Sequence, residues 1–143
     1  MKEEEIDKRT AVAYYGNMKQ SAQHDDLAQL GQYVRERREA RAREDSSFSL
    51  RQVAARCGIT PAYLSRVERG EVAPPGEETL VRLARELGED PDVMLAMAGK
   101  ISADLRAVIL ARPQLFAELI RQMKQMPDSS VLRIVREVRD GNW

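Results

Sequence analysis

The chain has 143 residues, of which 43% are hydrophobic and 32% are charged, and this length suffices for one modest core or two small ones. Its 23 basic and 23 acidic residues cancel, so any affinity for polyanions must come from local segregation of charge. One cysteine and one histidine argue against a disulfide framework, a metal site or a histidine-based catalytic set. The sequence shows neither a hydrophobic leader nor eighteen consecutive apolar residues. We therefore expect a small protein of the reducing cytoplasm that holds no metal or cofactor and has no membrane partner.

Charged and apolar residues are both patterned along the chain. Residues 35–69 carry a net charge of +4, whereas residues 70–98 carry −5. Apolar residues recur at spacings of three and four, as in Leu80, Leu83 and Leu87, and no segment alternates in the manner of a strand. The pattern predicts an all-α fold.

Capping residues and helix breakers divide the middle of the chain into five predicted helices. Thr60 followed by Pro61 is typical of a helix start, and Gly88 is typical of a helix end. Together the helices predict a domain over residues 25–99. Residues 1–24 begin with acidic residues and lack a sustained apolar period, so a loosely ordered arm is predicted there. The five helices are expected from about residue 26 to 41–43, from 49 to 57, from 60 to 70, from 77 to 87 and from 90 to 98.

Three further amphipathic stretches follow, at residues 102–111, 113–125 and 128–139. About forty residues bury too little apolar surface to be strongly stable alone. The C-terminal module over residues 100–143 is therefore expected to pack on a second copy or on the first domain. We favour a homodimer, and a different partner protein is the alternative. The predicted contact residues are Leu105, Ile109, Phe116, Leu119, Ile120, Met123, Val135 and Trp143.

The most informative run of the sequence covers residues 49–70. Ala54 is small enough for a second helix to cross over it, and Ile59 closes the corner between the two helices. Leu64 and Val67 occupy the inner side of the second helix. This arrangement specifies a helix-turn-helix. The outer side of the second helix is then free, and it carries Pro61, Ala62, Tyr63, Ser65, Arg66 and Arg69.

This run resembles the Cro/CI-type (Xre) helix-turn-helix family of bacterial and phage repressors. The resemblance covers residues 27–98 and rests on the sequences YLSRVERG at residues 63–70 and ETLVRLARELG at residues 78–88. It implies a five-helix, lambda-repressor-like domain, followed here by the short three-helix module. The chain departs from the family in two ways. Its loop between the first two helices is several residues longer, and Leu50 stands where a polar, phosphate-contacting residue is common.

The resemblance also implies how double-stranded DNA is bound. The third helix lies in the major groove, and the N-terminus of the second helix approaches a phosphate. Arg66 is the strongest candidate base reader because a guanidinium forks onto the O6 and N7 atoms of guanine. Arg38 and Glu68 are expected to form an internal ion pair and not to contact DNA. The candidate base contacts are Pro61, Ala62, Tyr63 and Arg66, and the candidate phosphate contacts are Arg51, Gln52, Ser65 and Arg69.

These features predict a sequence-specific DNA-binding transcriptional regulator. Its expected form is a dimeric repressor of an inverted-repeat operator in the bacterial cytoplasm, associated with the nucleoid while bound. The alternative is an antitoxin or adaptor whose C-terminal helices hold a partner protein such as a toxin. Analogy with stress repressors adds an inactivating protease as a further partner. The sequence shows no carboxylate pair, nucleophile set or phosphate-binding glycine loop, so an enzyme is not expected.

Overall fold

The computed structural model describes the backbone of residues 8–141 and the side chains of residues 25–141. This part of the chain is helical and contains no strand, which confirms the predicted all-α class. No helix in it is long and apolar enough to cross a membrane. The chain divides into two compact units at the junction of residues 102 and 103. The elements are α1 (Lys8–Ala42), the short 3-10 helix η1 (Ser46–Phe48), α2 (Leu50–Arg56), α3 (Pro61–Glu68), α4 (Glu77–Leu87), α5 (Pro91–Met97), α6 (Ala103–Ala111), α7 (Pro113–Met123) and α8 (Asp128–Asp140).

Helix α1 begins earlier than the sequence predicted. Its backbone is helical from Lys8, not from residue 26. Residues 8–24, for which the sequence predicted a loosely ordered arm, thus have a helical backbone, and residues 1–7 of that arm lie outside the described part. No proline interrupts α1, and each residue added to an existing helix gains a backbone hydrogen bond without a new nucleation step. The helix ends at Ala42, within the predicted range.

Side-chain caps start the short helices of the first unit. Ser49 Oγ accepts a hydrogen bond from the Gln52 backbone N–H at 3.3 Å. Thr60 Oγ1 accepts one from the Tyr63 backbone N–H at 3.1 Å. Because each cap satisfies an N–H that has no partner within the helix, α2 and α3 begin where the sequence predicted. Helix η1 was not predicted, and its cap is Asp45, whose carboxylate accepts a backbone N–H of η1 at 2.9 Å.

Helices α1 to α5 enclose one hydrophobic core. Cys57, at the end of α2, belongs to it, and burial, followed by the nearby Glu86 carboxylate, raises the pKa of the Cys57 thiol. The thiol is therefore a small core group that stays protonated. The buried core side chains are Leu30, Val34, Val53, Ala54, Cys57, Leu64, Leu80, Leu83, Ala84, Leu87, Met94 and Leu95.

Helix α1 packs closely on α3 through a glycine and an ion pair. A Cβ atom at Gly31 would lie 2.5 Å from the Val67 carbonyl oxygen, so only glycine allows this approach. Arg38 Nε lies 2.6 Å from one carboxylate oxygen of Glu68, and Arg38 Nη2 lies 3.1 Å from the other. Both side chains are buried. This internal pair is the one that the sequence predicted, and it fixes the end of α3 on α1.

The second unit consists of α6, α7 and α8, which correspond to the three predicted amphipathic stretches. Helix α6 packs against α7. No side chain of these three helices is buried. The unit, as far as residues 103–141 are described, therefore has helices but no core of its own.

Candidate nucleic-acid interface

Helices α2 and α3 pack against each other in the two-helix arrangement that the sequence predicted. Ala54 on α2 and both Leu64 and Val67 on α3 are buried, as expected for the inner positions. In the turn between the helices, Gly58 has a φ of +69°, a left-handed conformation that glycine adopts at little cost. Ile59 follows and packs against the core. The inner side of α3 is thus fixed, and its outer side faces solvent.

The outer side of α3 presents the predicted base-contacting residues. Pro61, Ala62 and Arg66 are exposed, and Tyr63 is half-buried. Within residues 25–141, the Arg66 guanidinium has no ion-pair or hydrogen-bond partner. It can therefore approach a base edge without giving up an internal interaction. The structure brings these four residues to one accessible surface, and their contact with DNA stays a prediction.

The first turn of α2 carries two of the predicted phosphate contacts. Arg51 and Gln52 are exposed there, and the backbone N–H of Gln52 is already held by the Ser49 cap. Leu50, the residue that departs from the family pattern, is half-buried and packs against the core. Its role is therefore structural, and Arg51 is the cation of this turn that remains accessible.

Of the other two predicted phosphate contacts, Ser65 is half-buried and Arg69 is exposed, but the Arg69 guanidinium is already engaged within the domain. Arg69 Nε donates a hydrogen bond to the Ser65 carbonyl oxygen at 3.3 Å. Arg69 Nη1 also lies 3.1 Å from Glu71 Oε1. A phosphate would have to replace this carboxylate, so Arg69 gains less from DNA than an arginine without a partner. The sequence did not reveal this competition, although the acidic residue stands only two positions along the chain.

The long loop between α1 and α2 is held by two arginines. The Arg41 and Arg56 guanidiniums lie 5.4 Å and 5.3 Å from the centroid of the Phe48 ring. Arg56 also lies 2.6 Å from Glu86 Oε2 and donates to the Ser47 carbonyl oxygen at 2.7 Å. Two of the arginines in residues 35–69 therefore already have partners within the domain. Their cation–π contacts and the ion pair of Arg56 hold η1 in place.

Other arginines of α1 are also paired. Arg35 lies 2.9 Å from Glu39, and this hydrogen bond lowers the pKa of the glutamate. Arg37 lies 3.5 Å from Glu89. In contrast, Arg43 is exposed and has no ion pair among the described side chains. The sequence analysis did not name Arg43 as a site residue. Glu39, one helical turn before it, already pairs with Arg35 and therefore does not engage Arg43 in an ion pair. The described residues include no group of three side chains suited to hold a metal ion.

Comparison with known proteins assigns the class of this domain. A family model described as a helix-turn-helix domain matches residues 29–97. Two relatives, each named an uncharacterized HTH-type transcriptional regulator, come from two strains of Mycobacterium tuberculosis and are 39% identical over 57 residues. The match spans 40% of this chain and 40% of each relative. No solved structure matches.

Residues 29–97 therefore match a helix-turn-helix domain, which agrees with the helix-turn-helix predicted from the sequence. Its α2 and α3 are the two helices of the motif, and α3 takes the position of the recognition helix.

Proposed function

We propose that the chain is a transcriptional regulator that reads specific base pairs in the major groove with α3. The observation that carries this proposal is the Arg66 guanidinium, which has no partner among residues 25–141 and lies on the exposed side of a helix whose other side is fixed in the core. A side chain held in this way meets DNA without reorganising the domain. The relatives' names support the same conclusion.

The residues of the interface divide into two roles. Arg66 donates two hydrogen bonds to a guanine, while Pro61 and Ala62 offer apolar surface to a thymine methyl group. Arg51 and Arg69 bind phosphates and set the register of the domain on the duplex without reading sequence. Because Arg69 has to leave Glu71 first, the net gain from its phosphate contact is small.

We further propose that the regulator acts as a dimeric repressor in the bacterial cytoplasm, bound to DNA of the nucleoid. Two recognition helices about 34 Å apart match successive major grooves on one face of B-form DNA, so the operator is an inverted repeat. Covering a promoter then blocks transcription. The exposed apolar residues of α6 to α8 support a contact between two copies.

Selection from random duplex DNA with the full chain, at a stated salt concentration near physiological, tests the proposal. The expected result is an inverted repeat with half-site centres about ten base pairs apart. Binding without any enriched motif would overturn sequence-specific recognition.

The selected DNA then tests Arg66. Arg66→Ala should lose about 1–3 kcal/mol of preference for the selected site over a scrambled one, because it removes a base contact. Its circular dichroism should not change, since the guanidinium has no partner in the described part of the chain. Arg85→Ala is the matched control, because Arg85 on α4 is also an exposed arginine without an ion pair or hydrogen bond among the described side chains. If both variants discriminate as well as the parent chain, Arg66 is not a base reader.

A second candidate function is an antitoxin or adaptor that holds another protein, such as a toxin or a protease, with its C-terminal helices. Exposed Leu119 and Ile120 on α7 favour it. Trp143, a predicted contact of the same module, lies outside the described residues. A chain that is monomeric or aggregates alone, but forms a defined complex with a co-expressed neighbour, would favour this function over the first.

A further inference from the structure

The turn that ends α3 places an acidic residue beside the recognition helix. Gly70 has a φ of +68°, and the Glu71 backbone N–H donates to the Arg66 carbonyl oxygen at 3.0 Å. A hydrogen bond of this kind, which spans a left-handed glycine, fixes the chain just beyond a helix end. A Cβ atom at Gly70 would lie 3.1 Å from the Cα atom of Ala28, so the turn also packs on α1. The position of Glu71 is therefore set by its backbone and not by the contacts of its carboxylate.

The Glu71 carboxylate binds the one arginine of this end of α3 that is predicted to contact a phosphate. Glu71 Oε1 lies 3.1 Å from Arg69 Nη1, and Arg69 Nε donates to the Ser65 carbonyl oxygen at 3.3 Å. The side chains of Arg69 and Glu71 are 52% and 45% exposed. Ion pairs exposed to this extent add little to the stability of a fold. Loss of the pair therefore leaves the domain folded, and its main effect falls on what Arg69 can bind.

The two arginines on the outer side of α3 thus differ in availability. Arg66 has no partner among the described side chains, whereas Arg69 meets DNA with a carboxylate already beside it. The salt dependence of DNA binding counts the phosphates that cations of the protein neutralise. An arginine that keeps its carboxylate partner neutralises no phosphate, and the carboxylate itself repels the duplex. Glu71 therefore acts on the part of the affinity that does not depend on sequence.

We propose that Glu71 sets the strength of DNA binding by competing with a phosphate for Arg69. The inference rests on the proposed function, because Arg69 meets a phosphate only if α3 lies in the major groove. Since a phosphate contact carries no sequence information, the competition lowers the affinity for every duplex by the same factor and leaves discrimination by Arg66 unchanged. A weaker hold on non-cognate DNA shortens the time that the chain spends on the many sites that compete with an operator.

The test is Glu71→Gln in the full chain, which removes the charge and keeps the size of the side chain. Two short duplexes are titrated, one with a single selected half-site and one with a scrambled sequence, between about 50 and 200 mM salt. Near the middle of this range Glu71→Gln should bind both duplexes about three- to tenfold more tightly than the parent. The slope of log K against log salt concentration should steepen by about 0.9, the value for one further phosphate contact. The ratio of the two affinities should not change.

Two further variants separate competition from a general effect of charge. Glu118→Gln changes the net charge equally at a glutamate of α7 whose Oε2 atom also lies 3.1 Å from an arginine, Arg121. This control should bind both duplexes as the parent does. The double variant Arg69→Ala/Glu71→Gln should lose the gain in affinity and in slope, because the gain is made by Arg69. Circular dichroism should be the same for all variants.

Two results would overturn the role of Glu71. One is a Glu71→Gln chain with the affinity and salt slope of the parent, and the other is a gain that persists in Arg69→Ala/Glu71→Gln. Failure of the proposed function looks different. If selection enriches no motif, sequence-specific recognition fails, and the scrambled duplex still measures the effect of Glu71. If the parent discriminates between the duplexes and Glu71→Gln changes nothing, the proposed function stands and this inference fails.

Discussion

The arginines of residues 35–69 have different roles because their surroundings differ. Arg38 is buried against Glu68 and serves the fold, whereas Arg66 is exposed and unpaired among the described residues. A net charge of +4 over residues 35–69 thus overstates the cation available to DNA, since several of its guanidiniums already face carboxylates or Phe48. The affinity of this domain for phosphate should therefore come from few arginines.

The Arg38 pair gives a prediction at the residue scale. Arg38→Ala should lower the free energy of unfolding by about 3–5 kcal/mol, because it leaves the buried Glu68 carboxylate without a partner. Urea unfolding followed by circular dichroism measures the change. The double variant Arg38→Met/Glu68→Leu is the control, and it should recover most of the loss because neither side chain then carries a charge. Equal losses in the single and the double variant would contradict this account.

At the scale of the element, the position of α3 depends on α1 as much as on α2. The turn and Ala54 set the angle between α2 and α3, while Gly31 allows the backbone of α1 to approach the end of α3. Thr60 caps the start of α3, and the Arg38 pair holds its end. The recognition helix is therefore fixed at both ends and along its inner side before it meets DNA.

Gly31 gives the prediction for this packing. Gly31→Ala should lower the free energy of unfolding by about 1–3 kcal/mol, despite the higher helix propensity of alanine, because its Cβ atom meets the carbonyl oxygens of Val67 and Glu68. Chemical denaturation provides the measurement. Gly76→Ala is the steric control, since a Cβ atom at Gly76 would meet nothing within 4 Å and only the smaller cost of a poorer N-cap on α4 is expected. A Gly31→Ala variant as stable as the parent would show that α1 and α3 are not held this closely.

At the scale of the whole molecule, two units with different sources of stability share one chain. The first has a core of its own, and the second, over residues 103–141, has none. In the proposed dimer, association therefore affects the folding of the second unit and not that of the first.

Heating should therefore produce two transitions. The midpoint of the helix-turn-helix domain should not change with protein concentration, whereas the midpoint of the C-terminal module should rise with it, because association stabilises the folded pair by mass action. Calorimetry at concentrations about tenfold apart measures both midpoints. A single transition that does not depend on concentration would contradict the dimeric module.

Much of the fold was predictable because its signals are local. Thr60 before Pro61, and Ser49 before an apolar period, start helices through hydrogen bonds that reach only a few residues. The inner positions Leu64 and Val67 follow from helical spacing alone. Of the candidate site, the exposure of Pro61 and Arg66 follows from the same spacing.

The features that the sequence did not predict depend on long-range packing or on competition between partners. Arg41 at the end of α1 and Arg56 on α2 both contact the Phe48 ring. Arg56 also pairs with Glu86 on α4, which lies 30 positions further along the chain. The engagement of Arg69 by Glu71 depends on the shape of the turn after α3. The prediction for α1 was too short because the first residues of this helix have neither an apolar period nor a helix breaker. A segment of this kind gives no clear signal for or against a helix.

The sequence by itself determined that the chain is helical, where α2 to α5 start and end, and which side of α3 faces the core. Only the tertiary structure decided which arginines stay available and that α6 to α8 expose their apolar residues. The physical reason is the distance along the chain over which each interaction acts. Helix periodicity and capping act within one or two turns, whereas ion-pair choice and burial depend on side chains that folding brings together from distant parts of the chain.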